Sequence, residues 1–185
     1  LGIGLIGVSS LAIYYLAKGH EVSGSDLAGS EITQVLKKRW AKISLGKNTI
    51  KNDADLIIYS PAVTVRRRMS NMLSYPEALG ELTKEHFTIA ISGTHGKSTT
   101  TALLSLVLIK AGLDPTVIIG TKLKEFGNLN FRNGKGNYLV MEADEYHGSF
   151  LNYSPFAAII LNIDREHLDY YKNLTNIKKA FLEFI

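Results

Sequence analysis

The sequence predicts an α/β protein in which parallel strands alternate with helices. Three features of the chain support this class. Short apolar stretches alternate with longer helical ones, the pattern of repeated strand–helix–strand units. Glycine-rich turns precede two of the predicted helices, one at the start of the chain and one after residue 92. The pattern begins again after a polar connector, and this restart predicts two domains, over 1–80 and 85–185.

The first domain is predicted to open with a glycine turn and then to alternate helices with short strands. Helices are expected at about 9–18 and 30–39, and strands at "EVSGSD", "KIS" and "ADLIIYSPAV". Residues 64–85 are polar and are predicted to form a helical connector, with Pro76 as punctuation. In the second domain, strands are expected at "FTIAIS", "TVIIG", "YLVMEAD" and "FAAIILNID", with helices over 98–111 and from 175 onward.

Composition limits the possible functions. The chain is 45% hydrophobic and 21% charged, an ordinary globular balance, and it has no apolar run suited to span a bilayer. It has no cysteine, which excludes disulfides and thiolate metal sites and agrees with a cytoplasmic location. The net charge of +4 suits a small phosphate-rich ligand, and the basic run Arg66–Arg68 is interpreted as solvated surface. We therefore expect neither a nucleic-acid nor a membrane partner.

The stretch "GTHGKS" predicts a phosphate-binding loop, because it lies between an apolar strand and a helix. Glycines allow backbone N–H groups to converge, and the helix N-terminus adds partial positive charge. Lys97 would lie against the β- and γ-phosphates, and Ser98 would hold Mg²⁺. The spacing departs from the full Walker motif, because Ile91 stands where its first glycine would be. A plain turn with a capping threonine is the alternative, but it leaves the lysine unexplained.

Polar residues follow two further predicted strands. Glu142, Asp144 and Glu145 follow one apolar strand, and Glu142 and Asp144 are expected on one face by the strand period of two. Asn162 ends another strand, and His167 follows it. Because strand ends of a parallel sheet face one crevice, these residues and the lysine loop predict a magnesium–nucleotide site. The alternative for the carboxylates is a solvated strand end. The alternative for His167 is a structural histidine, since Mg²⁺ prefers oxygen ligands.

The opening glycine turn is compatible with two ligands. Gly2, Gly4 and Gly7 could hold the pyrophosphate of a dinucleotide, and Asp26 follows at the spacing expected for a ribose contact. The same geometry also suits a UDP diphosphate. The residues of this half of the chain do not decide between the two ligands.

Three motifs together resemble those of the Mur ligase family, namely "GTHGKSTTTALL", "EADEYHGSFL" and "LNIDREHLDYY". They match the central ATPase domain of that family, and residues from "GIGLIGVSSLA" to "ADLIIYSPAV" resemble its N-terminal Rossmann-like domain. The resemblance implies a Rossmann-like UDP-substrate domain followed by a phosphate-loop ATPase domain. Among the branches of the family, the motifs are most similar to the one that joins L-alanine to UDP-N-acetylmuramate.

The resemblance also implies a reaction and its cofactors. A substrate carboxylate would attack the γ-phosphate of ATP, and the amine of L-alanine would then displace phosphate from the acyl phosphate. ATP and Mg²⁺ would be required. Lys97, Glu142 and His167 would be catalytic. Ser98 and Glu142 would hold Mg²⁺, and His167 would complete a second metal position near the acyl phosphate. The remaining residues implied for nucleotide binding are Gly93, Thr94, His95, Gly96, Thr99 and Asn162, and those implied for the UDP substrate are Gly2, Gly4, Gly7, Ser25, Asp26 and Ser60.

Some residues depart from the family pattern. His147 stands where members often carry an aspartate, and the connector between Val63 and Ser74 looks shorter than theirs. By resemblance we expect the chain to end inside the ATPase domain, to lack the amino-acid-binding domain, and to work in the cytoplasm as a monomer or homodimer. A murein peptide ligase that recycles tripeptide is the alternative within the family, and Tyr146 is compatible with it. A non-catalytic nucleotide-binding module and, more distantly, a nicotinamide dehydrogenase are the alternatives outside it.

Overall fold

The computed structural model describes residues 1–51 and 53–185, and these form two compact units, Leu1–Ala78 and Leu79–Ile185. Both units combine helices with parallel strands, which confirms the predicted α/β class. No helix of the described ranges is long and apolar enough to cross a bilayer.

The first unit contains a parallel sheet completed by the opening residues of the chain. Strand β1 pairs with β2, and β3 pairs with β4, both in parallel. Leu1 N donates to Ile58 O and Leu1 O accepts from Ser60 N (3.1 Å), the alternating pattern of a parallel ladder, while Gly2 N donates to Ser25 O (2.9 Å). Residues 1–3 therefore lie between β1 and β3. The elements of this unit are α1 (Ile6–Ala17), β1 (Ser23–Asp26), α2 (Glu31–Lys38), β2 (Lys42–Leu45), β3 (Ile57–Tyr59) and β4 (Met72–Ser74).

Helix α2 has sequence signals at both ends. At its start, Ser30 Oγ accepts from Thr33 N (3.2 Å) and Thr33 Oγ1 accepts from Ser30 N (2.9 Å), a reciprocal capping box. At its end, Trp40 N donates to Lys37 O and Ala41 N donates to Leu36 O, both at 3.0 Å. This is the Schellman arrangement, which requires a left-handed residue at the position of Trp40 (φ 72°).

We expect Trp40→Gly to stabilise the first unit by about 0.5–1 kcal/mol, because glycine adopts the left-handed conformation without the Cβ clash. The indole is 90% exposed, so its removal sacrifices little packing. Thermal unfolding of the intact protein, followed by circular dichroism, measures the effect. Trp40→Ala is the matched control, because it removes the indole but keeps Cβ. Equal midpoints for the glycine and alanine variants would contradict the backbone explanation.

The predicted helical connector over 64–85 is wrong in its first half. Residues 72–74 form β4, and helix α3 (Tyr75–Glu85) begins only after it. Pro76 lies in the first turn of α3, where a missing backbone N–H is tolerated, so it starts the helix. Glu77 accepts from both the backbone N–H and the hydroxyl of Ser74 (2.7 Å each), which fixes this start. A three-residue strand is too short to show an alternating pattern.

The second unit is a five-stranded sheet in the order β7-β6-β8-β5-β9, in which only the β6–β7 pair is antiparallel among the described strands. Its centre is apolar, and Ile91, Val117 and Leu139 are fully buried. Because β5 lies between β8 and β9 and is parallel to both, the carboxyl ends of these three strands lie side by side at one end of the sheet. The elements are β5 (Phe87–Ser92), α4 (Lys97–Lys110), β6 (Thr116–Leu123), β7 (Leu129–Arg132), β8 (Tyr138–Glu142), β9 (Ala157–Ile160), α5 (Leu168–Tyr171) and α6 (Leu174–Phe184).

Candidate active site

A glycine loop joins β5 to α4 at the edge where the three strands end. Gly93 (φ 132°) and Gly96 (φ 86°) both have positive φ, and a Cβ at Gly93 would lie 2.9 Å from Asn162 O. Both positions therefore need glycine. Among the described residues no side chain caps α4, which leaves the N–H groups of its first turn available to an anion. A cavity of about 320 Å³ lies here, lined by Thr94, His95, Gly96, Lys97, Ser98, Thr99 and Glu142.

The segment after β9 holds this loop in place. Asn162 Oδ1 accepts from His95 N (2.8 Å), and Asn162 Nδ2 donates to His95 O (3.0 Å). Thr94 is fixed at both ends, since its N–H donates to Asn162 O (3.1 Å) and its Oγ1 accepts from Asp164 N (2.8 Å). The Asn162 side chain is thus engaged with the loop backbone. Its predicted contact with nucleotide or metal stays a prediction, and the structure adds a role in shaping the loop.

Lys97 is directed into the site rather than into solvent. Its Nζ lies 3.0 Å from Glu145 Oε2 and 2.7 Å from Gly93 O, and its side chain is only 13% exposed. Glu145 is 2% exposed, so this ion pair is shielded from solvent screening. No local sequence pattern predicts Glu145 as the partner of the lysine. A phosphate at the loop would compete with Glu145 for the same ammonium.

Ser98 and Glu142 lie together, as the sequence predicts. Ser98 Oγ lies 3.1 and 3.0 Å from the two carboxylate oxygens of Glu142. Gly120 N donates to Glu142 Oε2 (2.8 Å) and orients the carboxylate, and a Cβ at Gly120 would lie 2.9 Å from the same oxygen. A hydroxyl and a carboxylate are hard oxygen ligands, so this pair suits Mg²⁺. Sequence reasoning missed Gly120, whose signal is a glycine within the apolar stretch "TVIIG".

His167 belongs to a second cluster, beside Asp144 and Glu145. One potential ligand atom from each of these three residues lies within 4.8 Å of the others, and His167 Nε2 is 3.8 Å from Glu145 Oε1. The predicted placement of Glu142 and Asp144 on one strand face stays a prediction, because β8 ends at Glu142 and Asp144 lies two residues beyond it, in the cluster with His167. Glu142 therefore lies beside Ser98, whereas Asp144 and Glu145 lie beside His167. Buried Glu145 also forms the ion pair with Lys97, so it contacts both the histidine and the lysine.

Tyr171 fixes the backbone next to this second cluster. Its hydroxyl donates to Glu145 O. Burial, with a smaller effect from nearby Tyr170 and Glu145, raises the pKa of Tyr171 to about 12. The phenol therefore remains a hydrogen-bond donor throughout the neutral and mildly alkaline range.

The glycine turn of the first unit lies at the carboxyl edge of its own sheet. Gly4 N donates to Asp26 Oδ2 (2.7 Å), and a Cβ at Gly4 would lie 2.9 Å from that oxygen. Gly2 has φ 69°, and its added Cβ would lie 3.4 Å from Ser60 Cβ. The structure thus brings Gly2, Gly4, Asp26 and Ser60 to one edge, at the start of α1.

Ser25 and Gly7, also predicted to bind the substrate, both contact other parts of the first unit. Ser25 is fully buried, and its Oγ accepts from Thr49 N (3.0 Å) and lies 3.3 Å from Thr49 O. This contradicts the expectation that Ser25 faces a ligand, because its hydroxyl ties β1 to the segment after β2. Gly7 is needed for packing, since a Cβ there would lie 2.8 Å from the ring of Tyr75.

A larger cleft of about 990 Å³ in the first unit lies at the opposite end of the strands. Its lining includes Ser23, Lys42 and Ile57, the first residues of β1, β2 and β3. Gly4, Asp26 and Ser60 do not line it. Ligands of open parallel sheets bind at the carboxyl ends, so size alone does not make this cleft the substrate site.

Two models of known protein families match the chain, one over each half. The model described as "Mur ligase family, catalytic domain" matches residues 1–87, and the one described as "Mur ligase middle domain" matches residues 91–185. A UDP-N-acetylmuramate–L-alanine ligase of Aquifex aeolicus is 44% identical over 194 aligned residues, and one of Syntrophotalea carbinolica is 45% identical over 195. The matches cover 100% of this chain but 42% of each relative, so the chain spans less than half their length.

Solved structures give the same grouping. A UDP-N-acetylmuramate–alanine ligase from Thermotoga maritima matches with a TM-score of 0.83 and 34% identity, over 99% of this chain and 45% of that one. A UDP-N-acetylmuramate:L-alanyl-γ-D-glutamyl-meso-diaminopimelate ligase from Neisseria meningitides matches with a TM-score of 0.82 and 26% identity, over 100% of this chain and 65% of that one.

Proposed function

The chain belongs to the Mur ligase family, and on that premise we propose that it forms the UDP-substrate and ATP-binding parts of an amide ligase. The proposed reaction joins L-alanine to the carboxylate of UDP-N-acetylmuramate in peptidoglycan precursor synthesis. The observation that carries this proposal is the glycine loop at α4, where buried Lys97 and the Ser98–Glu142 pair meet. A nicotinamide dehydrogenase would leave this loop without a role.

The proposed chemistry proceeds in two balanced steps. A carboxylate oxygen of the muramoyl group attacks the γ-phosphorus of ATP, the bond to ADP breaks, and an acyl phosphate forms. The amine of alanine then attacks the acyl carbon, phosphate leaves with the C–O bonding electrons, and the amine loses a proton. Phosphoryl transfer depends mainly on positioning and charge neutralisation. Lys97 and the N–H groups at the start of α4 supply positive charge next to the transferred group.

The residues of the site fit Mg²⁺ as well as ATP. We propose that Ser98 and Glu142 hold one ion and that His167 contributes to a second position with Asp144 and Glu145. Magnesium bound there would neutralise phosphate charge. His95 and Thr99 line the nucleotide cavity, while Gly93, Thr94, Gly96 and Asn162 maintain the loop that surrounds it.

The glycine turn of the first unit is proposed to bind the UDP part of the substrate. Gly2 and Gly4 allow the close packing of the turn at the start of α1, and Ser60 lies beside Gly2. Asp26 is an acceptor-only carboxylate that repels phosphate at close range, so it suits the hydroxyl groups of a ribose. Family membership also leads us to infer a cytoplasmic enzyme that works as a monomer or homodimer.

The test measures phosphate release by the intact protein with ATP, Mg²⁺ and UDP-N-acetylmuramate, with L-alanine, glycine, L-serine or the tripeptide as the acceptor. We expect release that requires L-alanine, in line with the relatives at 44% identity. Release with the tripeptide alone would transfer the assignment to the peptide-recycling reaction. Tight ATP binding without release for any acceptor would mean a nucleotide-binding module and would reject the ligase proposal.

A further inference from the structure

Tyr146 connects the two segments that carry the second cluster. It follows Glu145 in the segment after β8, and its ring stacks on His167 in the segment after β9, with centroids 4.4 Å apart and planes 27° apart. Its hydroxyl donates to Asp169 Oδ2 (2.8 Å), two residues beyond the histidine. A single side chain therefore contacts the second segment at two points.

His167 needs an external support for its ring. Its imidazole is 26% exposed, so part of the ring is open to solvent and burial alone does not fix the ring plane. The imidazole is turned toward the cluster, because its Nε2 lies 3.8 Å from Glu145 Oε1. A ring stacked on one face of the imidazole restricts its rotation and leaves the edge nitrogens open. Tyr146 is therefore placed to select the ring plane of His167.

The hydroxyl bond strengthens this support. Tyr146 is itself in contact with His147 (ring centroids 4.1 Å apart), and its bond to Asp169 anchors the far end of the phenol. The phenol is anchored through its hydroxyl to Asp169 and packs against the ring of His147, which suits a side chain that orients another residue.

We propose that Tyr146 is a positioning residue that holds the imidazole of His167 toward Glu145 and thereby organises the Asp144–Glu145–His167 cluster for a divalent cation. The proposal rests on the proposed function, because that cluster is taken there as a magnesium position. Tyr146 does not touch the reacting atoms. It acts through His167, as supporting residues around metal ligands commonly do.

The test compares Tyr146→Phe and Tyr146→Ser in the intact protein. The serine variant loses both the stack and the hydroxyl anchor, and we expect its half-saturating Mg²⁺ concentration to rise about 10-fold. Its KM for ATP should change by less than about twofold, since a Tyr146 role confined to the cluster leaves the phosphate loop intact. The phenylalanine variant keeps the stack, so it should retain most of the wild-type magnesium response. Tyr170→Ser is the matched control, because Tyr170 is an exposed neighbour that packs on His147.

A second readout does not depend on activity. Selective ¹³C labelling of histidine allows the His167 imidazole resonance to be followed, with His167→Gln for assignment. The stacked ring should shift this resonance upfield in the wild-type and phenylalanine proteins but not in the serine variant. Mn²⁺ should broaden it at lower concentration in the wild type than in Tyr146→Ser.

The outcomes separate the two proposals. An unchanged His167 resonance and unchanged Mn²⁺ broadening in Tyr146→Ser would overturn the positioning role, whatever the activity. Equal effects of Tyr146→Ser and Tyr170→Ser on the magnesium response would also overturn it. A wild-type protein that releases no phosphate with any acceptor, but shows the expected resonance shift and broadening, would reject the ligase and keep the positioning role.

Discussion

Lys97→Ala is expected to lower ATP-dependent phosphate release by the intact protein about 10³-fold, the upper end of the range for removal of one preorganised charge-stabilising group. The ammonium lies in the glycine loop at the start of α4 and is largely excluded from solvent. Its interaction with a transferred phosphoryl group is therefore weakly screened. Initial rates at saturating ATP and Mg²⁺ measure the loss.

Removal of Lys97 also leaves Glu145 as a buried carboxylate without its ion partner, which destabilises the fold. The double variant Lys97→Ala/Glu145→Gln removes that charge, so it should regain thermal stability without regaining activity. Lys110→Ala is the matched control, because it removes the same charge from the other end of α4. Substantial activity in the stable double variant would show that Lys97 serves the fold and not phosphoryl transfer.

The strands and helices of the second unit were largely predictable because their signals are local. "FTIAIS" coincides with β5, and the helix expected over 98–111 is α4 at Lys97–Lys110. Both are long enough for apolar patterning and flanking glycines to agree. Strand β7 was missed because it has four residues and belongs to an antiparallel pair at the sheet edge, where polar Asn130 is buried within the strand.

The site was predictable in its residue types but only partly in its pairings. Ser98 and Glu142 were expected together because a phosphate-loop hydroxyl and a strand-end carboxylate meet at one sheet edge. The Lys97–Glu145 pair depends on the turn after β8, whose geometry includes positive φ at His147 and Gly148. The amide of Asn162 satisfies the backbone of His95, a contact that the sequence does not indicate. Side-chain orientation beyond a strand end follows from tertiary contacts, and sequence periodicity does not report it.

Glu142→Gln is expected to lower phosphate release roughly 10²- to 10³-fold and to raise the Mg²⁺ concentration required for half-maximal rate. Glutamine preserves the size of the side chain, and its single carbonyl oxygen can still accept from Ser98 Oγ and Gly120 N. The change therefore removes the charge while retaining the local hydrogen bonds. Magnesium titrations of the initial rate measure both effects, and Glu125→Gln, an exposed acid in the same unit, is the matched control.

A double-mutant cycle decides whether Glu142 and Ser98 act through one ion. Their side-chain oxygens are only 3.0 Å apart, so a cation held by one is within reach of the other. If they share it, Ser98→Ala should cost much less in the Glu142→Gln background than in the wild type, because the ion is already weakly held. Fully additive losses, with a magnesium requirement unchanged in either single variant, would show that Glu142 and Ser98 act independently and would reject the shared ion.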